Sequence, residues 1–401
     1  MKSLEIAELA DARQTGVARL SAFVRWGSES RELFFRTAHS PTAVSGDPFV
    51  PAVLLPAMRA KLDLTIRSPV SAEILAAALR VQEVEWAWHP GWRIVKLDAV
   101  AKRADAQGAS SALAVGAFFS GGVDSFYTLQ KHRREITHLI FVSGFDVPLH
   151  RPAMRELILR ELRGTADEIG LPLIEVETNL RELSNGLGFS WEHQHGAGLA
   201  AVAHFLAPGF EKIYVPSTYA LPFLAPYGSH PGLDPLWGSP YLELVHDGIE
   251  ATRLDKIGAL SQWDTAVRNL RVCWALAEGQ YNCCRCSKCL STMALLRAHH
   301  ALERARSFPV PLDLQRLSEA APELTEQRYR FIQVITKLEQ RGDDPALVDS
   351  LRKALNPGHS LRRSLRHSAQ RLRSSSYSWL RKAVRTCRYL WRTFRGTRHA
   401  A

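Results

Sequence analysis

The stretch ALAVGAFFSGGVDSFYTL, residues 112–129, decides the fold of this chain. It consists of an apolar run, a loop of small residues and the beginning of a helical pattern. Two adjacent glycines lack the Cβ atoms that would keep an anion away from the backbone, so consecutive N–H groups can reach it. A helix that follows adds unpaired N–H groups and the positive end of its dipole. We therefore predict a phosphate-binding loop made of Ser120, Gly121, Gly122, Val123, Asp124 and Ser125.

The side chains of this loop also predict a bound magnesium ion. The hydroxyls of Ser120 and Ser125 can donate hydrogen bonds to a phosphate. Asp124 cannot donate, and it would repel a phosphate unless a divalent cation lay between them. We therefore expect Mg²⁺ at the loop. The alternative interpretation is an ordinary Gly-Gly turn between a buried strand and a helix.

The loop resembles the signature S-G-G-x-D-S of the PP-loop ATP pyrophosphatases, and all five fixed positions match. The resemblance implies that ATP binds with its pyrophosphate in the loop. It also implies release of AMP and pyrophosphate after a carboxylate, amide or similar oxygen has been adenylated. Similar synthetases carry a lysine that reaches the phosphates, and Lys256 in EATRLDKIGAL (250–260) occupies such a segment. Asp124 and Lys256 are thus the expected catalytic residues, with a solvated surface lysine as the alternative for Lys256.

Composition distinguishes a near-neutral body from a basic end. The chain has 401 residues, so two or more structural units are expected, and its 46% hydrophobic residues suffice for a buried core. The net charge of +11 is misleading, because residues 352–401 hold 14 Lys and Arg and no acid. The rest of the chain has 37 basic and 40 acidic residues. G-x-x-x-x-G-K-S/T does not occur in the sequence, which disfavours a Walker-type kinase or GTPase.

The sequence also suggests where the protein is found. No apolar run approaches the roughly 18 to 20 residues that span a bilayer. The first residues, MKSLEIAELADAR, contain acids where a signal peptide would have an apolar core. We therefore expect a cytoplasmic protein that meets any membrane only from the inner face.

The pattern before the loop predicts a separate α+β domain over residues 1–108. Alternating apolar residues predict strands at 17–26, 32–38, 61–66 and 93–100, and helical spacing predicts a helix at 71–88. The polar, turn-like stretch 101–111 suggests the boundary. We expect an ATP-binding domain at 109–300, a helical region at 301–355 and a basic tail at 356–401.

Strands and helices alternate after the loop. Short buried strands are predicted at 138–144, 172–178 and 211–217, and helical patterns at 151–170 and 197–207 lie between them. This order predicts an α/β fold, a Rossmann-like parallel sheet with helices on both faces. Ligands of such sheets bind at the carboxyl ends of the strands. GAGLAA (196–201) matches a dinucleotide motif but follows polar residues, so we interpret it as a helix start.

A long segment, residues 217–248, is rich in Pro, Gly and aromatic residues and is too long for a simple connector. Such loops at the mouth of an α/β sheet commonly bind the second substrate or act as a lid. The polar residues in and before it are candidates for the substrate pocket, although each by itself has a structural interpretation. The candidates that we select are His193, His195, His230 and Asp234.

Five of the six cysteines fall within VCWALAEGQYNCCRCSKCLSTM, residues 272–293. The spacing C-x9-C-x2-C-x2-C predicts a tetrahedral zinc site, because C-x2-C lets two sulfurs converge from one turn. A closed site of four thiolates has no open position, so its role is structural. An iron–sulfur cluster and disulfides are the alternatives, and Cys284 is the spare thiol. The predicted ligands are Cys273, Cys283, Cys286 and Cys289.

The loop and the cysteines together, over residues 112–295, resemble the 7-cyano-7-deazaguanine synthase branch of the PP-loop family. The resemblance implies a carbon–nitrogen ligase of queuosine biosynthesis that activates a carboxylate for amidation and then for nitrile formation. The chain departs from that branch in its first cysteine spacing, x9 instead of x8, in Val123 for the usual Gln, and in flanking segments without a counterpart. The pocket segments do not match those of the branch, so the substrate stays open. The alternatives are a PP-loop RNA-modifying enzyme, either a tRNA-thiolating enzyme or a lysidine-type ligase, and a protein that binds ATP without turnover.

The basic tail predicts an amphipathic helix. At 100° per residue its apolar side chains fall on one side and its arginines on another. Such a helix suits an anionic membrane surface, and the alternatives are packing on the protein itself or binding RNA. The apolar stripe consists of Leu380, Val384, Cys387, Trp391 and Phe394.

Overall fold

A ten-stranded, mostly parallel sheet organises the computed structural model of this chain. The structure describes residues 3–39, 42–102, 114–275, 277–320 and 325–356. The predicted boundary near residue 108 and the predicted tail helix at 380–394 lie outside these residues. The described residues divide into two compact units, one up to residue 312 and the other from residue 313 onward.

All ten strands belong to the first unit. Their bounds are β1 Ser3–Gln14, β2 Val17–Trp26, β3 Glu29–Thr37, β4 Asp63–Ser71, β5 Leu97–Lys102, β6 Ala114–Phe118, β7 His138–Ser143, β8 Leu173–Thr178, β9 Phe210–Pro216 and β10 Glu243–Asp247. The helices are α1 Phe49–Ala60, α2 Ala72–Trp88, α3 Val123–Lys131, α4 Pro152–Ile169, α5 Leu180–Gly186, α6 Trp191–Leu206, α7 Arg253–Leu260, α8 Asp264–Asn269, α9 Ser287–Ala298, α10 Leu314–Glu319, α11 Thr325–Arg341 and α12 Pro345–Leu355.

The strand order is β10-β9-β6-β7-β8-β3-β2-β1-β4-β5. From β6 the chain moves outward through β7 to β8, and it then returns to the other side of β6 to form β9 and β10. The direction of winding thus reverses beside β6, and all five of these strands run parallel. Open parallel sheets leave a crevice for ligands at such a switch point, outside the carboxyl ends of the strands.

The strands before residue 103 continue the same sheet. β1, β2 and β3 form an antiparallel meander, and β3 pairs with β8 through Phe35 opposite Thr178. β4 and β5 extend the other edge by parallel pairing. One buried core includes Leu20 and Phe35 from the early strands and Val176 and Phe205 from the later elements.

The predicted α/β organisation is confirmed as a large, mostly parallel mixed sheet flanked by helices. One helix begins earlier than predicted: α6 starts at Trp191 instead of residue 197. Ser190 explains the difference, because its hydroxyl accepts a hydrogen bond from the N–H of Glu192 at 3.3 Å and caps the helix. His193 and His195 therefore lie on α6.

Helix α1 is buried over most of its length despite a proline at its centre. Pro56 has no N–H, so the carbonyl of Ala52 loses its helical partner. The side chain of Gln194 replaces that partner by donating to the carbonyl oxygens of Ala52 at 3.0 Å and Pro51 at 3.2 Å. This contact fixes the beginning of α6 against α1.

The second unit contains α10, α11 and α12. Asp313 caps α10 by accepting from the N–H of Arg316 at 2.9 Å, and Asp344 caps α12 by accepting from Leu347 at 3.2 Å. Leu317, Leu338 and Leu351 are fully buried, which accounts for the packing of these short helices. No helix in the described part of the chain is both long and apolar enough to cross a membrane.

Glu85 makes the stability of the fold depend on pH. It lies on α2 with 1% exposure, and burial raises the pKa of its carboxyl to about 7. In the unfolded chain this group loses its proton near pH 4.5. Stability is therefore lost as pH rises from 4.5 through 7, because the native state binds the proton more tightly.

We expect Glu85→Gln to remove that pH dependence. At each pH, the unfolding free energy of the variant is compared with that of the unmodified chain. The difference should favour the variant more at pH 8 than at pH 5, by on the order of 2 to 3 kcal/mol. Urea titrations at both pH values measure it. Glu83→Gln, at an exposed position of the same helix, is the control and should show no such change. If Glu85→Gln and Glu83→Gln showed the same pH dependence of unfolding free energy, Glu85 would not be the group responsible.

Candidate active site and metal centre

The predicted phosphate loop connects β6 to α3 at the switch point of the sheet. Gly121 has φ +73°, which favours glycine, and Gly122 caps α3 without a side-chain hydrogen bond. A Cβ on Gly122 would lie 3.2 Å from the Ser120 hydroxyl oxygen and 4.0 Å from that of Ser125. The absence of this atom leaves a concave surface between two hydroxyls at the open end of a helix, as an anion site requires.

Asp124, in the first turn of α3, is held by two basic side chains from α7. Its carboxylate accepts from the Arg253 guanidinium at 2.8 Å and from Lys256 Nζ at 3.0 Å. Lys256 is 1% exposed and also donates to the Ser217 carbonyl at 2.7 Å. Burial raises the pKa of Asp124, but the charges of Arg253 and Lys256 outweigh burial and hold this pKa below its ordinary value.

The position of the first turn of α7 explains why Arg253 and Lys256 both contact Asp124. Thr252 caps the helix in a capping box with Asp255, which sets where the first turn begins. Arg253 and Lys256 are three residues apart, so they share one face of the helix. Lys256 was predicted from sequence; Arg253 was not, since a single arginine at a helix start carries no motif.

A cavity of about 730 Å³ opens above the loop. Residues that follow the carboxyl ends of β6, β7, β8 and β9 line it, together with the beginning of α7. Gly144, after β7, has φ +101°, and a Cβ there would collide with the carbonyl of Thr178, the last residue of β8. This glycine lets the ends of the two strands approach each other at the cavity wall.

Two further cations line the cavity without a carboxylate partner among the described residues. Arg271 is 6% exposed, and its Nε has no hydrogen-bond partner in the described part. Lys288 lies 5.5 Å from the centre of the Trp274 ring. Desolvation lowers the pKa of Lys288, and the like charge of Arg253 lowers it further. Arg271 and Lys288 were not predicted as site residues, although both lie close to predicted zinc ligands in the sequence.

The four predicted zinc ligands form the metal centre. The sulfur atoms of Cys273, Cys283, Cys286 and Cys289 all lie within 4.8 Å of one another. The N–H of Cys286 donates to Cys283 Sγ at 3.3 Å, and the N–H of Cys289 donates to Cys286 Sγ at 3.5 Å. Such bonds stabilise thiolates and orient them. Four convergent sulfurs could hold a zinc ion, so the predicted clustering of these cysteines is confirmed.

Cys284 lies apart from this cluster, as predicted for the spare thiol. Its φ is +54°, which turns its side chain away from its neighbours along the chain. The thiol donates weakly to the Asn282 carbonyl at 3.7 Å, and burial raises its pKa.

The cysteines belong to residues 270–275 and 277–289, which we call the metal strap. Asn282 braces the strap internally: its side chain accepts from the N–H groups of Val272 and Cys273 and donates to the Leu270 carbonyl at 2.8 Å. The strap also holds the loop, because the Arg271 N–H donates to the Gly121 carbonyl at 2.7 Å. The metal centre and the phosphate loop are therefore joined by backbone.

The four candidate substrate residues occupy different places. His195 lines the cavity, and its Nδ1 is buried without a partner in the described chain. Burial lowers the pKa of His195, so the ring is neutral at pH 7. The other three are not among the residues that line the cavity.

Aromatic and polar contacts hold those three residues elsewhere. The His193 ring lies 4.8 Å from that of His89, and the His230 ring lies 4.8 Å from that of Trp88. Asp234 accepts from the Ser229 hydroxyl at 2.6 Å and from His246 Nδ1 at 2.7 Å. The serine donates to the aspartate and not to the histidine, so this group lacks the geometry of an activated nucleophile.

Comparisons of this chain with protein-family models, with curated proteins and with solved structures found no match, so the site is interpreted from its own geometry.

Proposed function

We propose that this chain is an ATP-dependent ligase of the PP-loop type, which adenylates a carboxylate and passes it to a nitrogen nucleophile. One observation carries the proposal: the loop at 120–125 lies at the switch point, and a cluster of cations surrounds it. Arg271 and Lys288 have no carboxylate partner among the described residues. Asp124 pairs with Arg253 and Lys256, and Asp146 pairs with Arg181. A polyphosphate would supply the negative charge that Arg271 and Lys288 lack.

The chemistry of the loop supports bound ATP with Mg²⁺. The N–H groups of the first turn of α3 and the Ser120 hydroxyl would accommodate phosphate oxygens. The Ser125 hydroxyl donates to the Gly122 carbonyl at 3.0 Å and would have to exchange that bond for one to phosphate. Asp124 uses one lone pair of each oxygen for Arg253 and Lys256, and a carboxylate has further lone pairs for a cation. Magnesium is commonly held by one carboxylate together with substrate phosphates. It would neutralise charge on the phosphates.

The proposed reaction has two steps. An oxygen of the substrate carboxylate attacks the α-phosphorus of ATP, the bond to the β-phosphate oxygen breaks, and pyrophosphate leaves with that electron pair. A neutral amine or ammonia then attacks the acyl carbon, and AMP leaves. His195, neutral at pH 7 and at the cavity wall, would accept the proton that the nucleophile loses. The metal strap would keep the loop in place.

The products of ATP distinguish this proposal from other nucleotide chemistry. We expect incubation with ATP, Mg²⁺, ammonia and a panel of carboxylates that includes 7-carboxy-7-deazaguanine to yield AMP and pyrophosphate in equal amounts. Mass spectrometry would identify the amide, or the nitrile if a second ATP adenylates the amide oxygen and AMP leaves with it. A product mixture of ADP and orthophosphate would overturn the proposal, as would the absence of AMP with every acceptor and with tRNA.

The basic sequence at 352–401 favours one second candidate, a PP-loop enzyme that modifies RNA. The same assay separates the two, because tRNA as the sole acceptor would then stimulate AMP formation and small carboxylates would not. Flotation with anionic and neutral liposomes tests whether this stretch binds a membrane instead.

A further inference from the structure

We propose that the metal strap supplies part of the phosphate-binding surface through Arg271 and Lys288, so that zinc binding and nucleotide binding are thermodynamically coupled. This inference deepens the proposed function and rests on it, since it takes the oligophosphate of a nucleotide as the ligand. It gives the zinc centre a role beyond holding the chain together.

Arg271 is the first observation that supports this role. Its side chain is 6% exposed, lines the cavity, and has neither an ion-pair partner nor a partner for Nε among the described residues. A buried guanidinium without a counter-charge is costly unless a ligand provides one. The backbone N–H of the same residue holds the Gly121 carbonyl at 2.7 Å, which places Arg271 next to the loop.

Lys288 is the second observation. It lies between two metal ligands, Cys286 and Cys289, at the beginning of α9, and it lines the same cavity. The Trp274 ring lies beneath its ammonium at 5.5 Å and is itself part of the cavity wall. Lys288 is exposed, and Asp146 and Asp124 attract its ammonium without lying within ion-pair distance in the described chain. An anion bound in the cavity could pair with the Lys288 ammonium at this position.

The metal fixes both cations. Arg271 lies two residues before Cys273, and Lys288 lies between Cys286 and Cys289, so the four sulfurs determine how far apart the cations are. Without a metal, four thiols have no reason to stay within 4.8 Å of one another, and the strap would lose this spacing. A ligand that bridges both cations must then favour the zinc-bound state, and zinc must favour the ligand by the same factor.

The first test measures binding, not turnover. Titration calorimetry with inorganic pyrophosphate and with a non-hydrolysable ATP analogue would be done on the full chain. We expect Arg271→Ala and Lys288→Ala each to raise the Kd for both ligands by about tenfold to a hundredfold, as expected for one charge-assisted hydrogen bond. Arg271→Lys, which keeps the charge, should lose less affinity for these ligands than Arg271→Ala. Arg285→Ala is the matched control, because Arg285 is a cation of the same strap that bonds to Gln280 at 3.2 Å outside the cavity.

The second test measures the coupling from the side of the metal. Saturating pyrophosphate should lower the Kd for zinc of the unmodified chain, measured at equilibrium by competition with a chelator. It should have no effect in the Arg271→Ala, Lys288→Ala double variant, which also controls for direct binding of zinc by pyrophosphate. The expected coupling is about fivefold or more.

The outcomes separate this inference from the proposed function. Unchanged Kd values in both alanine variants, or an equal loss in Arg285→Ala, would overturn the inference while leaving ATP binding intact. Pyrophosphate binding that depends on Arg271 and Lys288, with no binding of the ATP analogue, would support the inference and remove ATP as the substrate. If the unmodified chain binds neither ligand, both proposals are wrong.

Discussion

Replacing any one of the four predicted zinc ligands with serine is expected to lower the yield of folded protein, whereas Cys284→Ser is expected to have little effect. Structural zinc contributes about 10 to 16 kcal/mol of apparent binding free energy in small peptides at neutral pH. A domain is typically stable by only about 5 to 15 kcal/mol, so loss of much of that contribution is severe. The ligands are Cys273, Cys283, Cys286 and Cys289.

The position of the metal centre means that loss of a zinc ligand would also disturb the phosphate loop. The strap holds Gly121 through the Arg271 N–H and is braced by the side chain of Asn282. Disorder there would therefore reach the phosphate loop. Cys284, by contrast, donates only a weak bond to the Asn282 carbonyl, which a serine hydroxyl can also make.

Three measurements check this prediction: soluble yield, thermal unfolding and metal content of each variant. We expect one zinc per chain in the unmodified protein and in Cys284→Ser. Iron with sulfide in place of zinc would contradict the assignment. Damage from Cys284→Ser equal to that from the ligand substitutions would contradict it as well.

Asp124→Asn is expected to abolish formation of AMP while leaving nucleotide binding in place. The substitution keeps the size of the side chain and removes the carboxylate that would hold Mg²⁺. Metal stabilisation of developing charge contributes several kcal/mol, so turnover should fall by roughly 10³-fold or more. Arg253 and Lys256 lose their counter-charge in this variant, so their attraction for phosphate should increase.

The pair of readouts distinguishes loss of function from loss of the fold. Without Mg²⁺, the Kd of Asp124→Asn for the ATP analogue should equal or fall below that of the unmodified chain. The free energy of unfolding should decrease by roughly 2 to 3 kcal/mol, because hydrogen bonds to charged groups are lost. Lys256→Met is the comparison variant and should weaken binding. Turnover by Asp124→Asn above a tenth of the unmodified rate would show that Asp124 holds no essential cation.

Local patterns predicted several elements correctly. β2 lies at Val17–Trp26, where alternating apolar residues predicted it, and α2 ends at Trp88 as predicted. The edge strand β10, at Glu243–Asp247, was missed because it lies within a segment whose Pro and Gly content indicated a loop. The helix start at Trp191 was missed because polar residues preceding the apolar run were taken to be outside the helix.

By itself, the sequence determined the two local constellations: a glycine loop between an apolar strand and a helix, and four cysteines whose spacing brings their sulfurs together. Both depend on backbone geometry over a few residues, which is why spacing predicts them. Only the tertiary structure decided which charges meet. Asp124 binds Arg253 and Lys256 across 129 and 132 residues, and β3 joins β8 within one sheet. Such pairings depend on strand order and on the packing of whole elements, and hydrophobic periodicity carries no information about either.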